Sequence, residues 1–327
     1  VREPVSPLVS GRTAVRPTSD QREGEPPLRR NVVALLVVHN RAEMTHRCLE
    51  ALRRASDAAG STISIVVVDD GSTDATPEVL ESCLEPVMDR RVEGSGFLYW
   101  GGAMAKATIA ASDLIASSDH ILVLNNDVVL YTTGLTSLLE RDPFMEKVVV
   151  GTLCDPQTGV QTYGGLRRKN RFRPLTFNMI DQCAGAKIDA MHANAVLIGS
   201  AAWKRVGCFD PVYVHKLGDY DYSLRANRLG IVVELGSSVV GTCACDHPWP
   251  PPYEDPHLSL RERFKALCHP KGLPPRAWFH YVTTHAGLLA PIYLIGPFAR
   301  TLLAIPYRNE RRRESQSTSP VRVAGGD

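Results

Sequence analysis

The chain has 327 residues, enough for one large domain or two small ones with a sizeable core. Hydrophobic residues make up 44 % and charged residues 22 %, which excludes wholesale disorder and collagen-like repeats. A formal charge of +2 is too balanced for a protein whose main partner is nucleic acid, so none is expected. No charged-then-apolar leader opens the sequence, and secretion is not expected. Cys48, Cys83, Cys154, Cys183, Cys208, Cys243, Cys245 and Cys268 follow no regular frame, as fits reduced thiols in a cytoplasm.

Residues 1–30 are rich in Pro, Arg and Glu without an apolar period, and 308–327 read alike; both are expected to be disordered tails. Between them, Asn31–Val38 is a continuous apolar run of the kind that fills a sheet covered on both faces. His39, Asn40 and Arg41 break it, and a helix follows with Met44, Cys48, Leu49 and Leu52 on one stripe, ending near Gly60. A second buried run, Ile63–Val68, stops at Asp69-Asp70-Gly71-Ser72, where Thr73 and Asp74 cap a helix to about Cys83. Val92 lies in a short strand, then Gly94-Ser95-Gly96 leads a helix through Ala111. Ile121–Leu124 is the next core strand, closing at Asn125-Asn126-Asp127. This alternation predicts a doubly wound parallel sheet, with ligands beyond the carboxyl ends of its strands, where Asp69, Asp70 and Asp127 fall.

After Leu130 the pattern is mixed. Val148–Val150, 160–163 and Ala195–Ile198 read as strands, Arg167-Arg168-Lys169 as the start of a basic loop, and Ser200–Val206 as a helix. Gly218-Asp219-Tyr220-Asp221 leads a helix ending at Gly230, and Ile231–Leu235 forms a strand. There is no internal repeat.

Five segments in order, Val38–Arg41, Val68–Asp74, Gly94–Met104, Leu124–Val128 and Gly218–Arg225, resemble those of the family 2 glycosyltransferases. The resemblance covers roughly residues 31–250 and is nearest to bacterial rhamnosyltransferase-like members that build surface polysaccharides. It implies a GT-A fold, Rossmann-like, with a doubly wound, mostly parallel sheet. It also implies a nucleoside diphosphate sugar donor, and places His39, Asn40, Arg41, Asp69, Asp70, Gly94, Gly96, Trp100, Gly101, Asn125 and Asn126 around it.

Asp70 matches the base-binding carboxylate, accepting from a pyrimidine N–H, while Asp69 contacts ribose or orients the loop; alternatively both cap the following helix. Asn125-Asn126-Asp127 occupies the family's metal slot. Asp127 is its hard carboxylate for Mg2+ or Mn2+, and Asn125 a neutral amide suited to ribose, though an Asx turn has the same composition. Asp219 matches the base that takes the acceptor hydroxyl proton. Gly218 stands where the family commonly has the first acid of a pair. Asp221 either orients the acceptor or pairs with Arg225 at helical i,i+4 spacing.

The glycines let backbone approach a diphosphate and free N–H groups at a helix start. The loop is neither a Walker A nor a dinucleotide fingerprint. Tyr99 and Trp100 stack on sugar or base, or anchor the core. His247, after the last core strand, is the second metal candidate. A zinc site from Cys243 and Cys245 lacks a second ligand pair. Trp249, in the stiff stretch 248–253, bounds the acceptor site or belongs to a plain connector. His192 reads as a satisfied core histidine, although His192 and Asn194 fall where the family lines its pocket.

From 261 to 313 there are ten Lys or Arg against Glu262 and Glu310. Residues 286–305 are apolar and long enough to span a bilayer, but Pro291, Pro297 and Arg300 oppose a simple span. Basic and apolar surfaces together suggest peripheral attachment to an anionic leaflet; the alternatives are a helical hairpin packed on the domain or a dimer interface.

The expected layout is a glycosyltransferase domain over 31–255 and a C-terminal helical extension over 256–307. The expected function is an inverting, metal-dependent transfer from dTDP-rhamnose or a UDP-hexose to a cell-surface polysaccharide or lipid-linked glycan, at the inner face of the plasma membrane. The rivals are a sugar nucleotidyltransferase, which would need a basic glycine loop where His39-Asn40-Arg41 stands, and a non-catalytic scaffold on the same fold.

Overall fold

A computed structural model describes residues 29–170, 172–245 and 251–303. The first half alternates strictly: β1 (Asn31–Val38), α1 (Ala42–Ala58), β2 (Thr62–Asp69), α2 (Thr76–Cys83), β3 (Arg90–Glu93), α3 (Tyr99–Ala110), α4 (Ser112–Ser117) and β4 (His120–Asn125). β1 shows why these apolar runs are continuous. Val33 and Leu35 enter a core with Val66, Val68, Ile121 and Val123, covered by α3. Val32, Ala34 and Leu36 enter the opposite core with Ile65, Val67, Leu122 and Leu124, covered by α1 and α2. Alternate side chains thus serve two separate cores, so neither face tolerates a polar residue.

The second half is mixed: β5 (Val129–Leu130), α5 (Gly134–Leu139), β6 (Val148–Cys154), β7 (Gln161–Tyr163), β8 (Gly165–Arg168), β9 (Phe177–Met179), β10 (Ala190–Met191), β11 (Ala195–Gly199), α6 (Ser200–Val206), α7 (Gly218–Arg228) and β12 (Val233–Thr242). Among the described residues the main sheet runs β3-β2-β1-β4-β11-β6-β12-β5, with β7 on β6. β3, β2, β1 and β4 are parallel, in register Leu35 with Val66 and with Val123. β11 runs antiparallel to both β4 and β6, whereas β12 is parallel to β6. The fold is therefore the expected α/β class with a mostly parallel centre. Strand order reverses between β1 and β4, and their carboxyl ends are where ligands of such open sheets bind.

Several local expectations are corrected. Met44 faces solvent, and the buried stripe of α1 is Thr45, Cys48, Leu49, Leu52 and Ala55. α2 starts at Thr76; Asp74 accepts from the Thr76 and Ala42 N–H groups, tying two helix starts together. Arg167 and Arg168 belong to β8, in a small antiparallel sheet ordered β10-β8-β9. The strand read from Ile231 to Leu235 begins at Val233 and continues to Thr242, with register shifts after Leu235.

The C-terminal helices are α8 (Leu260–Cys268), α9 (Pro275–His285) and α10 (Ala290–Leu303). Trp278, Tyr281 and Val282 of α9 share a third core with Tyr213 and with Leu224 of α7, and α10 closes it with Tyr293, Leu294 and Phe298. The Trp278 indole N–H donates to the Tyr293 carbonyl at 3.2 Å. No helix among the described residues is long and apolar enough to cross a membrane.

Candidate active site

The turns after β1 and β2 are stitched together by their polar residues. Asn40 donates its backbone N–H to Ser72 Oγ at 2.8 Å, and its side-chain oxygen accepts from the Thr73 N–H at 2.9 Å. His39 Nδ1–H donates to the Asp70 carbonyl at 2.7 Å, which fixes its tautomer and turns Nε2 outward. Asn40 and Arg41 both have left-handed backbone, with φ of 57° and 68°. That costs energy for non-glycine residues and aims the Arg41 side chain across to the turn after β4.

Asp69 and Asp70 are both buried with partners. Asp69 accepts from the Ser72 N–H at 3.0 Å and from the Arg91 guanidinium at 2.9 Å. Asp70 accepts from the Gly96 N–H at 2.8 Å and the Tyr99 N–H at 2.9 Å. Both oxygens of Asp70 therefore hold the glycine loop. The loop N–H groups expected to await a diphosphate are spent on this carboxylate. Gly94 is required because a Cβ there would lie 2.5 Å from Asp70 Oδ1. At Gly101 a Cβ would meet the Tyr213 carbonyl at 1.8 Å, so this glycine serves the close approach of α3 to the 213–214 segment, which accepts the Gly101 N–H at 2.7 Å.

The turn after β4 divides its labour. Asn126 is buried and donates to Thr45 Oγ1 of α1 at 3.0 Å, which ties the turn to α1. Asn125 Oδ1 accepts from the Trp100 indole N–H at 2.8 Å. Asp127 is partly exposed; one oxygen pairs with Arg41 Nη1 at 3.1 Å and the other accepts from the Cys243 thiol at 3.5 Å. Burial, then the neighbouring Asp127 carboxylate, pushes the Cys243 thiol pKa upward, which suits a protonated donor.

Trp100 also touches the third element. A Cβ on Gly218 would lie 3.6 Å from the Trp100 ring, so the start of α7 runs close to the indole. Leu217, just before, has φ 76°. Asp219 follows in the first turn, and burial pushes its carboxyl up to about 6, opposed by N–H groups of Tyr220, Ala193 and Asp219 itself. Ala193 precedes Asn194, whose carbonyl accepts the Asn125 N–H at 2.9 Å. Two independent links thus bring the turn carrying Asp127 and the helix carrying Asp219 together. His192 lies at this junction and is only partly buried, between Tyr163 and Tyr220 with ring centroids at 5.5 and 6.1 Å. It lines the site more than the core.

Asp221 departs from its expected place near the acceptor. It is buried and accepts from Arg225 Nε at 2.7 Å, His285 Nε2 at 2.8 Å and the Tyr213 hydroxyl at 3.3 Å. Burial raises its carboxyl pKa, but the His285 and Arg225 hydrogen bonds outweigh that and hold it below the usual range. Arg225 is likewise consumed, donating to the Val206 and Cys208 carbonyls at 2.7 and 3.0 Å. The i,i+4 pair is the reading these contacts favour, and both residues are structural. His285, on α9, had no signal in the sequence: it lies 64 residues from its partner.

Among the described residues no group of three or more His, Cys, Asp or Glu side chains could hold a metal ion by itself. Asp127, a partly exposed hard carboxylate whose partners are Arg41 and the Cys243 thiol, fits an ion that takes most of its ligands from substrate phosphates and water. His247 and Trp249 lie outside the described residues.

The model of the family described as "Glycosyl transferase family 2" matches residues 34–205, more than half of the chain. The chain belongs to that family. It is a glycosyltransferase on a GT-A fold with added C-terminal helices. No curated protein matches it. Among solved structures it is similar to the mannosyltransferase PcManGT from Pyrobaculum calidifontis in complex with GDP-Man and Mn2+, at 14 % identity and a TM-score of 0.48, over 90 % of this chain and 86 % of that one.

Proposed function

We propose that the protein is an inverting glycosyltransferase that moves a sugar from a nucleoside diphosphate donor, dTDP-rhamnose or a UDP-hexose, to a cell-surface polysaccharide or lipid-linked glycan. The observation that supports this reading is the junction at Trp100, whose indole N–H bonds Asn125 in the turn carrying Asp127 while its ring lies close to Gly218, next to Asp219. Inversion needs those two functions on opposite sides of the reacting carbon.

In this reading Asp219 accepts the acceptor's hydroxyl proton while that oxygen bonds to the anomeric carbon and the bond to the diphosphate oxygen breaks. Its carboxyl, near 6, is a stronger base than an ordinary carboxylate yet still ionised at neutral pH. Arg41, held by Asp127, supplies positive charge beside the diphosphate. Asp70, through Gly96 and Tyr99, fixes the loop that shapes the donor pocket. His39, Asn40, Asp69 and Asn125 set the strand-end turns around the base and ribose. Mg2+ or Mn2+ held through Asp127 would neutralise charge building on the departing diphosphate. Such preorganised charge is usually the largest catalytic contribution. Work at the inner face of the plasma membrane, as a peripheral protein, fits a lipid-linked acceptor.

Thermal shifts with dTDP, UDP and GDP, each with and without Mn2+, test this first, since a true ligand raises apparent stability by mass action. Release of nucleoside diphosphate from the matching sugar donor should follow. A chain stabilised by none of them and silent on every donor would be a scaffold on a transferase fold.

A further inference from the structure

From the surface of α10 we infer that this helix is the site by which the protein docks on an anionic lipid surface. The inference rests on the proposed lipid-linked acceptor for its purpose. One side of α10 closes the third core through Tyr293, Leu294 and Phe298, and Pro297 and Thr301 are buried. The opposite side is also apolar: Leu288, just before the helix, is fully exposed, Ile292 is 69 % and Ile295 65 % exposed, and Leu302 and Leu303 continue the stripe. Leu288, Ile292 and Ile295 follow at four and three residues, and Leu302 lies two turns further, as on one helix face. Phe279 of α9 is exposed as well. A helix apolar on both sides belongs either inside a protein or in contact with another apolar phase.

Charge selects the occupant. The exposed charged side chains of α8, α9 and the turn between them are Arg261, Lys265, Lys271 and Arg276, against Glu262. Beyond Leu303 the sequence adds Arg308, Arg311, Arg312, Arg313 and Arg322 against Glu310, Glu314 and Asp327. A second copy would set these cations against their own kind, whereas anionic headgroups complement them. At 14 residues α10 is about 21 Å long. That is short of a roughly 30 Å hydrocarbon layer. Pro297 and Arg300 also sit inside it, so it lies along the interface and does not cross. The surface is wired to the site: α10 packs on α9, and His285 at the end of α9 bonds Asp221, two residues from Asp219.

Flotation of the full chain with phosphatidylglycerol–phosphatidylcholine vesicles and with phosphatidylcholine alone tests the docking. Binding is expected on the first and little on the second. The double variant Ile292→Asp/Ile295→Asp, at exposed positions, should stay in the pellet fraction with an unchanged melting temperature. Lys271→Gln/Arg276→Gln removes two charges and should weaken binding to anionic vesicles roughly 25-fold. Equal flotation of the wild type and the isoleucine variant, or a dimer that the isoleucine variant dissolves without any vesicle binding, overturns the inference. Release of nucleoside diphosphate is followed in the same samples. Its failure alongside normal flotation would strike the proposed function and leave the docking surface standing, while flotation failing with turnover intact does the reverse.

Discussion

The indole N–H of Trp100 and the side-chain oxygen of Asn125 meet at 2.8 Å, and this bond joins the first turn of α3 to the end of β4. Asp70 holds the adjacent Tyr99 N–H, and the start of α7 runs close to the same ring. The glycine loop, the turn after β4 and the start of α7 thereby share one side chain. Trp100→Phe keeps an aromatic face but deletes the bond, and is expected to lower kcat/KM about tenfold. Steady-state kinetics against donor concentration would show it, with a melting temperature lowered by a few degrees, since the lost bond also costs about 1 kcal/mol of stability.

Neighbouring glycines in α3 should respond oppositely. Gly101→Ala drives a methyl into the Tyr213 carbonyl, a backbone atom that cannot step aside, and should destabilise by more than about 3 kcal/mol. At Gly102 the added methyl would meet only the Leu98 side chain at 3.5 Å. Gly102→Ala should stabilise by up to about 1 kcal/mol through helix propensity. Urea denaturation of the two variants measures the contrast.

Asp221 is expected to behave as a structural acid. Asp221→Ala leaves the His285 and Arg225 donors facing an apolar gap and should cost about 3–5 kcal/mol. Its carboxyl is held below the usual range, so the stability it supplies is complete above that range and drains away as pH falls through it. Acid unfolding of the wild type and a flatter acid limb in the variant would establish this.

The parallel half of the sheet was legible because each strand fills two cores and so carries an unbroken apolar run. The small sheet was not, since strands of two to four residues such as Ala190–Met191 and Phe177–Met179 leave no period to read. Motif order pointed to Asp127 and Asp219, but not to the use of each side chain. Asp70 looked like a ligand contact from its place at a strand end; only the fold shows its oxygens turned to Gly96 and Tyr99. Asp221 and Arg225 were spaced for a pair, and the pair forms, yet the histidine that completes it comes from a distant helix.

Asp219 carries opposite demands. Its folded value near 6 lies above the ordinary 3.8, so it favours the fold fully below about pH 4, and that contribution is lost as pH rises through about 6. The change amounts to at most about 3 kcal/mol. Asp219→Asn should therefore match the wild type in acid and exceed it in melting temperature at neutral pH. Turnover by the wild type should climb through about pH 6 as the carboxylate forms.

The most direct measurement is the rate of nucleoside diphosphate release by wild type and Asp219→Asn, from the donor that the thermal-shift screen selects, with donor affinity measured in parallel. Loss of about a hundredfold or more in rate at unchanged donor affinity is the expected result. An asparagine variant that turns over as fast as the wild type would contradict the role given to this carboxylate.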